Sequence, residues 1–188
     1  LKRLSLLIND LLDLSKLEAG GVRLARQPSP VEKAIEEALA TLAPWADTKS
    51  IQLVKDVPLD LPPADIDPNK VIQVLINLIS NAIKFTPAGG KITAGASLQE
   101  DGRIKVVVQD TGIGIAREEQ AKVFDKFYQV RTPQGMDVRG TGIGLTICQE
   151  IVQLHSGKIW VESEPGKGTR FLFTLPQAAK QEGSQESS

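Results

Sequence analysis

The sequence predicts an α/β two-layer sandwich: a mixed, mostly antiparallel sheet packed on about three helices, preceded by an N-terminal bundle helix. Two observations carry that prediction. Apolar residues recur every three or four positions through residues 31–42 and 71–82, the period of a half-buried helix. After Pro87-Ala88-Gly89-Gly90 the period falls to two over residues 91–98 and 103–109, the mark of paired strands. Helices set against mostly antiparallel strands close into two layers.

Each element has its own warrant. Residues 1–19 form an amphipathic helix with Leu1, Leu4, Leu7, Ile8, Leu11, Leu12 and Leu14 on one side. Lys2, Asn9, Asp10, Asp13 and Lys16 take the other side, and Gly20-Gly21 ends it. So wide a stripe suits a helix bundle; the plainer alternative is a helix folded back on its own domain. Ser29-Pro30-Val31-Glu32 reads as an N-cap, a first-position Pro and the Glu of a capping box. The helix it opens buries Val31, Ile35, Ala38, Leu39 and Leu42, and Pro44 is expected to kink or end it. Residues 51–57 read as a strand, followed by a turn around Pro58, Pro62 and Pro63. Asp67-Pro68 caps a second long helix to about Lys84, with Val71, Val74, Leu75, Leu78, Ile79 and Ala82 inward. Two strands then turn at Glu100-Asp101-Gly102. A short helix at 118–123, a loose stretch at 129–140 and a helix at 143–154 follow. Strands at 158–163 and 169–175 close the sheet, with Phe171, Phe173 and Leu175 facing one way. Residues 177–188 lack an apolar anchor and are expected to be disordered.

Composition excludes several classes of function. Of 188 residues, 22 are Lys or Arg and 23 Asp or Glu, so the net charge of -1 offers no field for nucleic acid. The single Cys excludes a disulfide framework and a cysteine-rich zinc site. No apolar run reaches the ~20 residues of a membrane span, so direct membrane contact is not expected. The chain begins Leu-Lys-Arg without a signal-peptide pattern, which reads as a cytoplasmic piece of something longer.

The chemistry gathers at glycines. Seven of the 16 glycines fall in three clusters: Gly112 and Gly114; Gly140, Gly142 and Gly144; Gly166 and Gly168. Singly, each cluster reads as a turn. Three in succession, one running straight into a helix, suit a backbone that bends its N–H groups around phosphate. Neither the P-loop spacing nor the dinucleotide fingerprint is present. Asp110 ends a strand just before the first cluster, where it could accept from an amino group such as adenine's or bond its own turn. Asn77, Asn81 and Lys84 share one face of the second long helix. Two amides and a cation on an apolar helix call for a polar partner, and hydrated Mg2+ with a polyphosphate would satisfy all three. A solvated helix edge is the alternative.

Residues 77–85 (NLISNAIKF), 110–114 (DTGIG), 124–127 (FDKF), 140–145 (GTGIGL) and 166–169 (GKGT) occur in the order of the N, G1, F, G2 and G3 boxes of a sensor histidine kinase. The sequence resembles that family over about residues 65–175. Residues 1–27 resemble the end of its dimerisation and histidine-phosphotransfer helix plus a linker. The resemblance implies the Bergerat ATP-binding fold over residues 28–176, with ATP and Mg2+ as cofactors. It implies Asn81 at the metal, Asn77 beside it, Lys84 at phosphate and Asp110 at adenine N6. Gly112 and Gly114 would shape the adenine end, and Gly140, Gly142 and Gly144 would let a lid (residues 116–139) close, anchored by Phe124 and Phe127. Phe85, Ile115, Arg139, Thr141, Ile143, Leu145 and Thr169 complete the implied contacts. The implied reaction moves the γ-phosphoryl of ATP to a histidine outside these residues, for relay to a response-regulator receiver domain, in a homodimer joined through the N-terminal helix.

Departures qualify this picture. Gln129 stands where many relatives carry a base, which leaves Arg131 and Arg139 as candidates for the γ-phosphate. His155 ends a helix, where a partial positive charge is favoured and a structural role is expected. Cys148 reads as a buried small hydrophobe. The competing readings are a hydrolytic ATPase of chaperone, topoisomerase or mismatch-repair type, an anti-sigma kinase, and a nucleotide-gated binding module. The hydrolytic relatives place a Glu base where this chain has Asn77, and an amide cannot accept the proton.

Overall fold

The computed structural model describes residues 8, 11, 12, 14–17, 19–130 and 140–179. The N-terminal parts of the leucine stripe, and the candidate cations Arg131 and Arg139, lie outside the described residues.

The described residues 8, 11, 12 and 14–17 belong to a helix, α1, which closes at Gly20 with φ +66°. Leu14 and Leu17 are buried in the core of the following domain, while Ile8, Leu11 and Leu12 are exposed. The described part of the stripe therefore divides: Leu14 docks on the domain, whereas Ile8, Leu11 and Leu12 do not.

Strand β1 (Gln27–Ser29) pairs antiparallel with β3 (Ala64–Ile66) as a separate two-stranded sheet. The expected Ser29 cap does not form. Ser29 is the last residue of β1 and its hydroxyl donates back to the Gln27 carbonyl at 3.2 Å, so helix α2 (Val31–Thr48) starts at Pro30 with no side-chain cap. Pro44 does not end α2 either. Its missing N–H frees only the carbonyl of Ala40, and both residues lie on the exposed side of the helix, where a freed carbonyl is tolerated.

The main sheet runs in the order β2-β4-β5-β7-β6, with β2 (Gln52–Asp56) parallel to β4 (Lys91–Leu98). β5 (Arg103–Asp110), β7 (Gly168–Pro176) and β6 (Ile159–Glu164) continue it antiparallel. The register lines up Ala94, Val108, Phe171 and Val161 across the sheet, and Ala96, Val106, Phe173 and Ile159 beside them. This is the apolar face on which α2, α3 (Pro68–Phe85) and α5 (Gly144–Leu154) pack; α4 (Arg117–Gln120) is one turn. The two-layer prediction is met.

Asp67 caps α3 as expected, accepting the Lys70 N–H at 3.3 Å. Its other oxygen accepts the N–H of Ala25 at 3.0 Å, and its own N–H donates to His155 Nε2 at 3.0 Å. His155 is fully buried and its Nδ1 lies 2.8 Å from the Ile151 carbonyl. Nε2 accepts, so Nδ1 carries the proton and the ring is neutral. Burial, with Arg26 adding to it, pushes the His155 pKa below its ordinary value against the bond to Ile151 and the carboxylates of Asp67 and Asp65. The role is structural, but the expected positive charge at the helix end is absent. The first residues expected to be disordered are instead placed: Gln177 bridges to Ala64, and buried Ala178 donates its N–H to the Pro63 carbonyl at 2.9 Å. Residues 180–188 lie outside the described residues.

Candidate functional site

The pattern that makes α3 amphipathic also leaves a polar strip along it. Asn77, Ser80, Asn81 and Lys84 are spaced three and four apart, opposite buried Val74, Leu75, Leu78 and Ile79. That strip forms one wall of a cavity of about 610 Å³. The loop after β5 and the start of β7 supply the floor, with Asp110, Ile113, Gly114, Ile115, Thr169 and Phe171. Residues 128–130 and 140–145 form the opposite wall, through Tyr128, Gln129, Val130, Gly140, Thr141, Gly142, Gly144 and Leu145.

Asp110 occupies the inward row of β5 that also holds Ile104, Val106 and Val108. A carboxylate in an apolar row needs donors. Its Oδ1 accepts the N–H of Gly112 at 2.8 Å and of Thr169 at 3.2 Å. Burial pushes its pKa up to about 6, against those two bonds. The turn bond expected of Asp110 is present on Oδ1, and the residue also lines the cavity.

Asn77 Nδ2 donates to the Gly144 carbonyl at 3.4 Å, tying α3 to the first residue of α5. The N-cap of α5, Ile143, makes no side-chain cap bond, and Gly144 and Leu145 of its first turn line the cavity. Such a turn presents backbone N–H donors and the positive end of the helix dipole. Cys148, further along α5, is fully buried, and burial pushes its thiol up to about 12.

Thirteen of the sequence-named residues reach the cavity: Asn77, Asn81, Lys84, Phe85, Asp110, Gly114, Ile115, Gly140, Thr141, Gly142, Gly144, Leu145 and Thr169. Gly112 sits beneath Asp110 and contributes its N–H. Ile143 points into the core instead. Phe124 packs edge-on to Phe171 with ring centroids 6.2 Å apart, and its carbonyl accepts the Thr146 hydroxyl at 2.9 Å. Phe127 does not anchor through its ring, which is 58% exposed. Its backbone does so, donating to the Gly142 carbonyl at 2.8 Å from a φ of +63°. Sequence reasoning did not name Ser80, Ala82, Ile113, Val123, Tyr128, Gln129, Val130 and Phe171 as lining residues. Ser80 carried a signal in its place between Asn77 and Asn81, and Ile113 in its place between Gly112 and Gly114.

The donors fit a hydrated Mg2+ that arrives with phosphate. Asn77, Ser80 and Asn81 bring amides and a hydroxyl to the cavity from α3, and no group of three His, Cys, Asp or Glu side chains that could hold a metal occurs among the described residues. A hard ion held by one or two protein oxygens, water and phosphate oxygens matches that set.

The profile of the family described as "Histidine kinase-, DNA gyrase B-, and HSP90-like ATPase" matches residues 66–179. The adaptive-response sensory kinase SasA of Synechococcus sp. (strain JA-3-3Ab) is 38% identical over 176 residues, 94% of this chain and 46% of SasA. The crystal structure of full-length ShkA in complex with AMPPNP aligns at TM-score 0.81 and 31% identity, over 92% of this chain and 35% of ShkA. Histidine kinase ThkA, in complex with response regulator protein TrrA, aligns at TM-score 0.76 and 26% identity, over 96% of this chain and 49% of ThkA. The chain spans about half of SasA's length. It belongs to the histidine kinase-, DNA gyrase B- and HSP90-like ATPase family, as an ATP-binding catalytic domain of the histidine-kinase kind.

Proposed function

We propose that this chain supplies the ATP site of a sensor histidine kinase, moving the γ-phosphoryl of Mg-ATP to a histidine on a phosphotransfer helix. The observation that carries the reading is one cavity lined by the amides of α3, by Lys84, by Asp110 and by the glycines that lead into α5. Asp110 accepts the 6-amino group of adenine. Lys84 and the first turn of α5 meet the phosphates, and Asn81, with Asn77 beside it, offers the amide oxygen that holds Mg2+. When bound, Mg2+ neutralises phosphate charge as the phosphoryl group moves. The protein's share is positioning and dipoles, which such a transfer chiefly needs.

Asn77 favours transfer over hydrolysis. Its side chain donates to Gly144, and an amide at this position cannot take a proton from water. Residues 1–27 act as the end of the dimerisation and phosphotransfer helix with its linker, and exposed Ile8, Leu11 and Leu12 fit a partner helix in a homodimer. A response-regulator aspartate receives the phosphoryl group next, in keeping with the regulator bound to ThkA. The site works in the cytoplasm; no described helix is long and apolar enough to cross a membrane.

Calorimetry with Mg2+ and a non-hydrolysable ATP analogue tests the binding step. Saturating nucleotide should stabilise the fold by ~2.7 kcal/mol at 100-fold excess over Kd. No binding at millimolar nucleotide would overturn the reading. With γ-labelled ATP the chain alone should stay unlabelled, because His155 is sealed in the core, and a phosphotransfer hairpin added in trans should take label. Acid-labile label on the chain alone that His155→Ala removes would contradict this.

A further inference from the structure

Lys49 follows α2 at its C-cap, and its side chain crosses to the far end of α3. Its Nζ donates to the carbonyls of Ile83 at 2.6 Å, Thr86 at 2.7 Å and Lys84 at 3.3 Å. The last turn of a helix leaves such carbonyls without an intrahelical partner. An ammonium has three donors, and here each has an acceptor. The carbonyl between them, that of Phe85, accepts the Ile113 N–H at 3.3 Å from the loop that holds Gly112 and Gly114. Four successive carbonyls are therefore taken, three by one side chain and one by the glycine loop. The backbone of Lys49 holds the next turn as well, accepting the Gly89 N–H at 3.0 Å.

What this turn carries gives the contact its meaning. Lys84 and Phe85 line the cavity, whereas Lys49 lies behind them and does not. We propose that Lys49 is a positioning residue for the nucleotide site: its ammonium, seated on the carbonyls of Ile83, Lys84 and Thr86, fixes the last turn of α3 and thereby aims Lys84 at the phosphates. This rests on the nucleotide reading above. Position matters here because a cation helps a polyphosphate only at a defined distance, and a shift of about 1 Å is enough to lose much of the benefit. Arg is a poor substitute, since its planar fork suits two parallel acceptors better than three converging ones.

The test is a double-mutant cycle on the whole chain. Binding of Mg2+ with AMPPNP is measured by calorimetry for wild type, Lys49→Met, Lys84→Met and the pair, at a temperature where circular dichroism shows each fully folded. Lys49→Met should weaken binding about tenfold, and the pair should fall well short of the product of the two single losses, because Lys49 acts through Lys84. Unchanged affinity in Lys49→Met, or losses that simply multiply, would overturn the proposal. If Lys49→Met does not fold, Lys49→Arg takes its place in the same cycle with the same two outcomes. Wild type that binds no nucleotide would remove the site reading itself and this role with it, a result distinct from a wild type that binds and a variant that binds equally well.

Discussion

The two ends of the cavity are built on opposite plans. Around Asp110 the backbone is packed to contact: a Cβ on Gly114 would stand 2.1 Å from the Glu164 carbonyl oxygen, and one on Gly168 2.0 Å from that of Asp110. Both residues hold positive φ, +73° and +93°. At the other end Gly142 is packed, since a Cβ there would stand 2.7 Å from the Phe127 backbone, but Gly140 and Gly144 beside it have room. Among the described residues, a Cβ on Gly140 would meet only the Gly142 nitrogen at 3.9 Å, and one on Gly144 only the Asn77 side chain, from 3.7 Å outward. The first end is finished before any ligand arrives, and the second is spaced for something to come between its walls. On the nucleotide reading, base recognition is preformed and the phosphate grip closes around its ligand.

The largest expected effect strikes the finished end. Gly168→Ala combines a strained φ with a backbone collision, so urea denaturation should show a loss of about 4 kcal/mol or more. A loss under about 1 kcal/mol would mean that this end can give way.

The next effect concerns protons. Asp110 holds its proton more tightly in the fold than in the unfolded chain, with a pKa raised from 3.8 to about 6. Its contribution to stability is therefore fully present below about pH 4 and is lost as pH rises through about 6, by at most about 3 kcal/mol. Other carboxylates titrate nearby, so the difference between wild type and Asp110→Asn across pH 4–7 isolates it. A flat difference would place Asp110 in a wetter setting than its burial indicates.

A smaller effect sharpens the ligand side. In Asp110→Asn the amide oxygen can keep the bonds from Gly112 and Thr169, which turns an NH2 toward the cavity in place of Oδ2. Affinity for ATP should drop about tenfold, and GTP, with an acceptor at that ring position, should lose less or gain. Competition titrations that find ATP and GTP equal in wild type would remove the adenine role of Asp110.

Much of this was legible in the sequence, for reasons that can be named. Helix α3 repeats its apolar residues over five turns and carries a strong cap, so its polar strip of Asn77, Asn81 and Lys84 was visible before any fold. Asp110 stood out because it ends a strand just before the first glycine cluster. Three-residue strands such as β1 and β3 are too short to show a period, and they are defined by pairing with each other across 35 or more residues of sequence. Whether Pro44 breaks a helix depends on which side its freed carbonyl faces, and the charge of His155 depends on a partner 88 residues away; both are tertiary facts. The ring of Phe127 misled because aromatic residues usually anchor through their side chains, whereas here the backbone does so.

The pairing of β1 with β3 has a mechanical consequence. β3 ends one residue before Asp67, where α3 begins, and the oxygen of Asp67 not used in the cap grips the linker at Ala25. The linker is thus tied to the near end of a rod, at its cap. Asn81 lies 14 residues along that rod, about 21 Å at 1.5 Å per residue. A tilt of about 3° at the cap would carry Asn81 through about 1 Å. Leu75, Leu78 and Ile79 are fully buried on the same rod, so such a tilt would have to carry that part of the core with it, and the packing of α3 holds the amides of the cavity against it.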